Sequence, residues 1–327
     1  MKTLVRSMSR LLAATVLCAG AAMAHAADPY PARPVRIIVP YAAGGGTDAT
    51  ARIVATQLGE RMKATFVVEN RAGGNTRIGT QLVQQAEPDG YTLVMFNAAG
   101  PINQALDPRL PYDVTTDFSP ITVLVRSVGA LWVNTDKIPV ASFDELIAFL
   151  RAHPGTAYAS SGVGAANHLA MEVIKERFGL DMLHVPFKGS SEATTAVASG
   201  EVPLSLDSFG PMVPHWERGR VRPLVVTSDE RFKLMAQVPT FAELGYPELQ
   251  GNSAWWGIAG PKGMPAAIVQ TLNQQIHQVL ADPKVVDTLT TIGAVPAPTS
   301  VDGFNALLRS DLAKWQAVVK KGGIQTN

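Results

Sequence analysis

The chain has 327 residues, of which 46% are hydrophobic and 17% are charged, a composition too apolar and too weakly charged for an intrinsically disordered protein. Its 28 Lys and Arg residues almost balance its 27 Asp and Glu residues, and a net charge of +1 without any basic block argues against nucleic-acid binding. The length predicts one large domain or two ordinary ones.

The segment 1–26 has the pattern of a bacterial secretory signal peptide. A basic start precedes an apolar run at 11–23, and an A-x-A cleavage sequence follows at 24–26. A membrane anchor is the alternative, but the run is shorter than the ~20 residues that span a bilayer. Cys18 is the single cysteine and lies in this run, so a cleaved chain has no cysteine for a disulfide, a nucleophile or a metal ligand.

Short apolar runs alternate with helical patterns after residue 30. We predict strands at 35–39, 66–69 and 91–96 and helices at 47–58 and 78–86. This β-α-β-α-β order predicts a parallel, doubly wound sheet. The segment 97–118 is rich in Pro, Asn and Asp and is predicted to be a long loop.

A second α/β set follows. Its predicted strands are 121–126, 130–133, 158–161, 183–185, 204–206 and 224–227, and its predicted helices are 142–152, 167–177 and 193–198. Capping boxes begin at Ser142 and at Thr240, which predicts a helix after each. The C-terminal part is predicted as a strand at 255–259 and two amphipathic helices.

A run of three glycines, Gly44 to Gly46, lies between a predicted strand and a predicted helix. Glycines let the backbone approach a ligand closely, and the N–H groups that begin a helix attract anions. Thr47 and Asp48 are good N-cap residues. A mobile turn is the alternative. The absence of Gly-Lys-Ser/Thr excludes a phosphate-binding P-loop, and the spacing of the glycines does not fit the dinucleotide fingerprint.

A second polar loop joins a strand to a helix between Ser160 and His168. Its hydroxyls and exposed amides suit a carboxylate, and a solvated loop is the alternative. His168 could act as a base, but no Gly-x-Ser-x-Gly or His-Glu-x-x-His motif occurs. Asp207 ends an apolar strand and could hold a water, a hydroxyl or a loop amide, or simply cap a helix. Trp255-Trp256 is interpreted as core or hinge packing.

The two halves share a local echo. Ile38-Val39-Pro40-Tyr41 and His184-Val185-Pro186-Phe187 each lead through a polar loop to a predicted helix. If the match is more than chance, two helix N-termini facing one cleft would hold an anion between them.

These segments, in this order, resemble the substrate-binding receptors of tripartite tricarboxylate transporters, also called Bug-type receptors. The matching stretches begin at Tyr30, Val67, Glu87, Leu110, His168, Val185, Val226, Val238 and Ala254, and read YPARPVRIIVPYAAGGGTDATAR, VVENRAGG, EPDGYTLV, LPYDVTTDFSPI, HLAMEV, VPFKGSSEA, VTSDER, VPTFAELGYP and AWWGIAGPKGMP. The likeness covers nearly all of the chain after the signal peptide.

The resemblance implies an α/β periplasmic binding protein fold with two doubly wound domains joined by two crossing strands. Domain 1 would comprise 27–126 and 251–327, and domain 2 would comprise 127–250. The implied protein is a monomeric, non-enzymatic receptor that captures a small organic acid in the interdomain cleft, without a metal or cofactor. It would serve a tripartite tricarboxylate-type permease or a sensor kinase.

In this family the carboxylate is typically held by backbone amides, small side chains and waters rather than by arginine. Carried over by motif, the ligand contacts in domain 1 are Tyr41, Ala43, Gly44, Gly45, Gly46, Thr47, Asp48, Asn97 and Ala98. Those in domain 2 are Ser160, Ser161, Gly164, Asn167, His168, Phe187 and Asp207. A secreted α/β hydrolase or isomerase acting on a small carboxylate or ester is the alternative function.

One loop departs from the family pattern. After Glu-Asn-Arg the family usually has Pro-Gly and several small residues, whereas this chain continues from Ala72 to Arg77. Arg77 is predicted to be solvated, and a contact with an unusual ligand is the alternative.

Overall fold

The computed structural model describes residues 30–107, 109–249 and 254–322, and the predicted signal peptide lies outside them. The strands are β1 Val35–Val39, β2 Phe66–Asn70, β3 Thr92–Asn97, β4 Phe118–Ser127, β5 Gly129–Asn134, β6 Thr156–Ser160, β7 Met182–Pro186, β8 Leu204–Ser208, β9 Val221–Val226, β10 Trp255–Pro261 and β11 Ala294–Pro296. The helices are α1 Gly46–Met62, α2 Arg77–Gln84, α3 Ala99–Leu106, α4 Phe143–Ala152, α5 Ala166–Phe178, α6 Ser190–Ser199, α7 Phe209–Trp216, α8 Ala266–Leu280, α9 Pro283–Thr291 and α10 Val301–Gly322. Within the described ranges, no helix is both long and apolar enough to cross a membrane.

The strands form two sheets with the same internal order. The first sheet runs β11-β4-β10-β3-β1-β2 and the second runs β7-β6-β8-β5-β9. In each sheet, three parallel strands are followed by an antiparallel one, which is β10 in the first sheet and β5 in the second. The connections therefore make β1 equivalent to β6, β2 to β7 and β3 to β8. This arrangement confirms the predicted α/β class with doubly wound sheets.

The chain passes between the two sheets through strands. β4 belongs to the first sheet and β5 to the second, with Val128 alone between them. After β9 the chain returns to the first sheet as β10, which inserts between β3 and β4 and pairs antiparallel with both.

β10 is buried along its whole length and anchors the last helix. The ring of Trp255 meets that of Phe304 edge-on at a centroid distance of 5.3 Å, and its Nε1 donates to Asp311 Oδ2 at 2.6 Å. Phe304, Leu308 and Trp315 of α10 lie in one core cluster with residues of β3, β4 and β10. The C-terminal helix thus packs on the first sheet.

Helices cover both faces of the second sheet. On one face, α4 and α5 pack Phe143, Met171 and other apolar residues against inward-facing residues of β5 and β8. On the other face, α6 and α7 do the same through Val197 and Met212. The continuous apolar character of β5 follows from this double coverage, because both of its faces are buried.

Local signals explain most element boundaries, and two predictions need correction. The segment 97–118 contains helix α3 instead of being a loop throughout; Pro101 lies in its first turn, where proline is tolerated. The capping-box bonds at Thr240 and Glu243 form, but only a turn follows, because Gly245 (φ +85°) and then Pro247 end it. Three short elements, α7, α9 and β11, were not predicted.

Gly257 in β10 gives a first testable prediction. A Cβ there would lie 2.6 Å from Phe304 Cζ and 2.9 Å from the carbonyl oxygen of Thr122. We expect Gly257→Ala to lower the free energy of unfolding by about 1–3 kcal/mol through overpacking. Urea denaturation measures the effect, with Gly45→Ala as the control, since a Cβ at Gly45 meets nothing within 4 Å. Equal midpoints for the two variants would show that Phe304 moves aside at no cost.

Candidate ligand-binding site

The loop between β1 and α1 is exposed, and it precedes backbone N–H groups that have no partner in the helix. Ala43 and the three glycines after it are exposed, and a Cβ on Gly44 or Gly45 would meet nothing within 4 Å. The first helical bond runs from the Ala49 N–H to the Gly45 carbonyl, so the N–H groups of Gly46, Thr47 and Asp48 lie outside the helical ladder. This geometry suits an anion.

The helix cap differs from the sequence prediction. Gly45 is the N-cap residue, while Thr47 and Asp48 lie inside the first turn and are buried. Gly45 has φ −81°, which any residue adopts, and it is Gly44 that needs the left-handed region, at φ +90°.

Asp48 holds this loop from behind. Its Oδ2 accepts from the Gly44 N–H at 3.0 Å and from Arg52 Nε at 3.1 Å, and its Oδ1 accepts from Asn70 Nδ2 at 3.0 Å. Burial alone would raise the pKa of this carboxyl, but the hydrogen bonds from Arg52, Gly44 and Asn70 outweigh it and lower the pKa. Asp48 is therefore a charged, structural residue of the loop.

Tyr41 and Asn97 meet at the ends of β1 and β3. Asn97 Nδ2 donates to Tyr41 Oη at 2.8 Å, while Asn97 Oδ1 accepts at 2.9 Å from the N–H of Ala99, the first residue of α3. Burial raises the pKa of Tyr41 to about 12, so its phenol stays protonated at neutral pH. Ala98, the N-cap of α3, is buried beside this pair.

The ring of Trp256 lies against Gly46 at the start of α1. The sequence predicts core or hinge packing for this residue. A Cβ on Gly46 would lie 2.8 Å from Trp256 Cη2, and Trp256 stands opposite Asn97 in the β10–β3 ladder. Gly46 is thus the glycine that a close approach requires. Successive side chains of a strand point to opposite faces of the sheet. Trp255 therefore packs in the core, and Trp256 lies against Gly46.

The β6–α5 loop of the second sheet is held by side chains of its own. Ser161 Oγ donates to Asn167 Oδ1 at 3.0 Å, and Asn167 Oδ1 also accepts from the backbone N–H of His168 at 3.0 Å. The Gly164 N–H donates to His168 Nδ1 at 3.1 Å. Ser160 Oγ contacts the backbone N–H and carbonyl of Gly162, each at 3.1 Å.

Phe187 and Asp207 lie next to this loop, on the two sides of β6: Phe187 directly follows β7, and Asp207 is in β8. The Phe187 N–H donates to the Ser160 carbonyl at 3.0 Å. Asp207 Oδ1 accepts from Ser190 Oγ at 2.5 Å and from the Ser208 N–H at 2.7 Å, while Asp207 Oδ2 is buried without a partner among the described residues. Burial raises the pKa of Asp207 to about 6.

The two similar sequence stretches, at 38–41 and 184–187, lead to helices whose first turns are held by the same kind of hydrogen bond. Helix α6 follows Phe187 and has the N-cap Gly189, and Glu192 Oε2 accepts from the Lys188 N–H at 3.1 Å, as Asp48 does from Gly44 in α1. The strands involved are nevertheless not equivalent, because β1 corresponds to β6 in sheet order and β7 corresponds to β2.

The predicted residues therefore fall into two groups. One group surrounds the β1–α1 loop and Asn97, and the other surrounds the β6–α5 loop, Phe187 and Asp207. They approach each other through apolar contacts: a Cβ on Gly164 would lie 2.6 Å from Leu106 Cδ1, and Leu169 packs in the core cluster of the first sheet. Arg77 was predicted to be solvated, but it pairs with Asp107, its Nη1 lying 3.1 Å from Asp107 Oδ2.

The described residues contain no group of three or more His, Cys, Asp and Glu side chains that could hold a metal ion.

Residues 50–324 match the family described as the tripartite tricarboxylate transporter family receptor. The chain belongs to this receptor family.

Relatives and solved structures agree with the membership. Protein BugT from Bordetella pertussis is 34% identical over 97% of this chain and 98% of its own length. The structure of R. palustris Rpa4515 with adipate has a TM-score of 0.83 at 32% identity, covering 90% of this chain and 99% of that one. The periplasmic binding protein BugD has a TM-score of 0.80 at 30% identity, covering 91% and 100%.

The predicted family, the periplasmic binding protein fold and the assignment to a non-enzymatic class are thereby confirmed. The receptors of this family are periplasmic solute-binding proteins, which decides against the hydrolase or isomerase considered above.

Asp48 gives a second prediction. We expect Asp48→Asn to lower the free energy of unfolding at pH 7 by about 1–3 kcal/mol, because hydrogen bonds to a charged group are lost. Since the folded pKa of Asp48 is depressed, its contribution is present above 3.8 and is lost as the pH falls through the lower folded value. Urea unfolding from pH 7 to pH 3 checks this.

Asp287→Asn is the matched control, because that carboxylate belongs to an exposed ion pair with Lys233. It should change the unfolding free energy by less than about 1 kcal/mol. If the two variants behave alike, Asp48 does not hold the loop.

Asp207 gives a third prediction. Its folded pKa is raised, so its stabilising contribution is present below 3.8 and is lost as the pH rises through about 6. The stability of the wild type relative to Asp207→Asn should therefore fall by on the order of 2 kcal/mol between pH 4 and pH 8. Asparagine keeps an oxygen for Ser190 and Ser208 but carries no charge. Parallel pH profiles of the two proteins would contradict a buried, ionising Asp207.

Proposed function

We propose that this receptor captures a small organic acid, with one carboxylate of the ligand bound at the N terminus of α1. The observation that carries the proposal is the set of backbone N–H groups at Gly46, Thr47 and Asp48, which lie outside the helical ladder at the start of α1, next to the open space in front of Gly44 and Gly45. The positive end of the helix dipole adds to their attraction for an anion.

The structures of relatives support a carboxylate ligand. Rpa4515 was solved with adipate, and MatC from Rhodopseudomonas palustris, 28% identical with a TM-score of 0.77, was solved with malate. Dicarboxylates are therefore the first ligands to test here.

We further propose that domain 1 comprises 27–126 and 251–327, that domain 2 comprises 127–250, and that the ligand lies between them. The β6–α5 loop and Asp207 would then supply the contacts opposite the β1–α1 loop. The ligand favours the closed arrangement by its differential affinity for it. The proximity of Leu106 to Gly164 supports the proposal that the two loops lie on facing sides of one cleft.

Export through the signal peptide at 1–26 would bring the receptor to the periplasm as a monomer. From there it would pass its ligand to a tripartite tricarboxylate-type permease or report it to a sensor kinase. Its membership of the receptor family supports this proposal.

A screen of carboxylates by thermal shift, followed by calorimetry, tests the function. A ligand at 100 times its dissociation constant stabilises the folded state by ~2.7 kcal/mol. We expect adipate or another dicarboxylate to bind and its uncharged diamide to fail, because the helix N terminus favours negative charge. A diamide that binds as tightly as the acid would refute the proposed carboxylate site.

Gly45→Val provides the matching structural test. The side chain would enter the open space in front of the loop without meeting the protein, so the fold should survive while affinity drops at least about tenfold. Ala281→Val, at an exposed position after α8, controls for the added bulk and should bind normally. Unchanged affinity in Gly45→Val would exclude this loop as the ligand site.

A further inference from the structure

A stacked pair of histidines lies beneath the β6–α5 loop. The imidazole rings of His168 on α5 and His184 on β7 are 3.9 Å apart between centroids and 14° from parallel. Tyr158 of β6 extends the stack, its ring lying 5.1 Å from that of His184. The sequence places these three residues on separate elements, so only the fold brings them together.

Each histidine is tied to the backbone of the loop. His168 Nδ1 accepts the Gly164 N–H at 3.1 Å, which requires that this nitrogen carry no proton. His184 Nε2 lies 2.6 Å from Ser160 Oγ, and that hydroxyl contacts the N–H and the carbonyl of Gly162. The loop conformation therefore depends directly on His168 and, through Ser160, on His184.

The charged and titratable groups around the pair come from the same elements. On α5, Glu172 Oε1 lies 4.0 Å from His168 Nε2 and accepts from the Tyr158 hydroxyl and, at 2.8 Å, from Lys175 Nζ. Glu172 is thus already engaged by two donors. Two stacked imidazoles cannot both take up a proton without strong like-charge repulsion.

Burial lowers the pKa of both histidines. For His168, Glu172 opposes this effect and Lys175 adds to it. For His184, burial and then His168 bring the pKa to about 4. A depressed folded pKa means that the neutral pair stabilises the fold above 6.5 and that this contribution is lost as the pH falls from there towards the folded values.

The loop that the pair holds lies against helix α3, which packs on the first sheet. A Cβ on Gly164 would lie 2.6 Å from Leu106 Cδ1, and Val163 beside it is 49% exposed. A change in the position of Gly164 therefore alters the contact between α3 and the β6–α5 loop.

We propose that the neutral His168–His184 pair positions the β6–α5 loop for ligand binding, and that a proton on His168 Nδ1 releases Gly164 and weakens binding. The part concerning affinity rests on the function proposed above. The part concerning the loop does not, because the Gly164 bond is present without a ligand. His168 is here a positioning residue, since it acts through the Gly164 N–H.

The first experiment uses the protein without ligand. Nitrogen chemical shifts should show His168 with its proton on Nε2 at pH 7.5. The protection factor of the Gly164 amide, which is the intrinsic exchange rate at each pH divided by the observed rate, should fall about tenfold when Nδ1 becomes protonated at lower pH. In His168→Leu the Gly164 amide should be unprotected at all pH values. His168→Asn should restore protection, because its side-chain oxygen accepts near the place of Nδ1 and does not titrate there.

His153→Asn is the matched control, because His153 is exposed and its Nδ1 contacts the Phe149 carbonyl at 2.8 Å, away from this loop. It should leave Gly164 protected. A proton found on His168 Nδ1 at pH 7.5, or exchange of Gly164 that ignores the titration of His168, would overturn the positioning role. The wild-type measurement decides this even if His168→Leu fails to fold.

The second experiment measures adipate binding by calorimetry from pH 7.5 to pH 4.5. Because adipate itself takes up protons in this range, the quantity compared is the ratio of the wild-type affinity to that of His168→Asn. We expect this ratio to fall about tenfold with acidification. A constant ratio would refute the release step, whereas adipate that fails to bind either protein at any pH would count against the proposed ligand and leave the exchange result to judge the loop.

Discussion

The insertion of β10 between β3 and β4 is the constraint on which the rest of the structure depends. The chain leaves the first sheet at β4 and can complete it only by returning as an antiparallel strand, buried on both faces. Successive residues of this strand contact different parts of the protein. Trp255 binds Asp311 of α10, Trp256 packs against Gly46 of the β1–α1 loop, and Gly257 leaves room for Phe304. Core packing, the C-terminal helix and the candidate site are therefore linked through one strand.

The two candidate loops meet the same physical requirement in different ways. A glycine-containing loop that presents backbone amides must itself be held, because glycine has the largest conformational entropy to lose. Asp48 holds Gly44 with a charged carboxylate, whereas His168 holds Gly164 with a neutral imidazole. Hydrogen bonds to the charged form lower the pKa of Asp48, whereas burial of the neutral form lowers the pKa of His168, so both loops are held by the form of the side chain that predominates at neutral pH.

Similar sequence and equivalent position are separate matters in this fold. A Val-Pro-aromatic stretch lies at the end of β1 and another at the end of β7, and each leads to a helix. Both helices have a glycine N-cap, followed three residues later by a carboxylate that accepts a backbone N–H. In sheet order, however, β1 occupies the same position as β6, and β6 is followed by the loop that His168 holds. Local capping requirements thus recur wherever a loop enters a helix, independent of the place of the strand in the sheet.

The alternation of apolar strands and amphipathic helices was readable in the sequence because burial on both sides of a sheet leaves a periodic signal in each segment. Most elements followed from this alternation. The capping box at Ser142 was visible as a short local motif, and its bond from the Glu145 N–H to Ser142 Oγ forms. Helix α3 was missed because its proline and polar residues are typical of loops, and its start depends on the Asn97 side chain.

The candidate residues could be named from motifs, but their contacts could not. By itself the sequence determined the fold class, the glycine loop and the receptor family, since these rest on local composition and ordered motifs. Only the tertiary structure decided that Trp256 supports Gly46, that Asp207 keeps one oxygen without a partner, and that His168 stacks on His184. These contacts join residues on different strands and helices, and their distances follow from sheet order and register, which local sequence patterns do not encode.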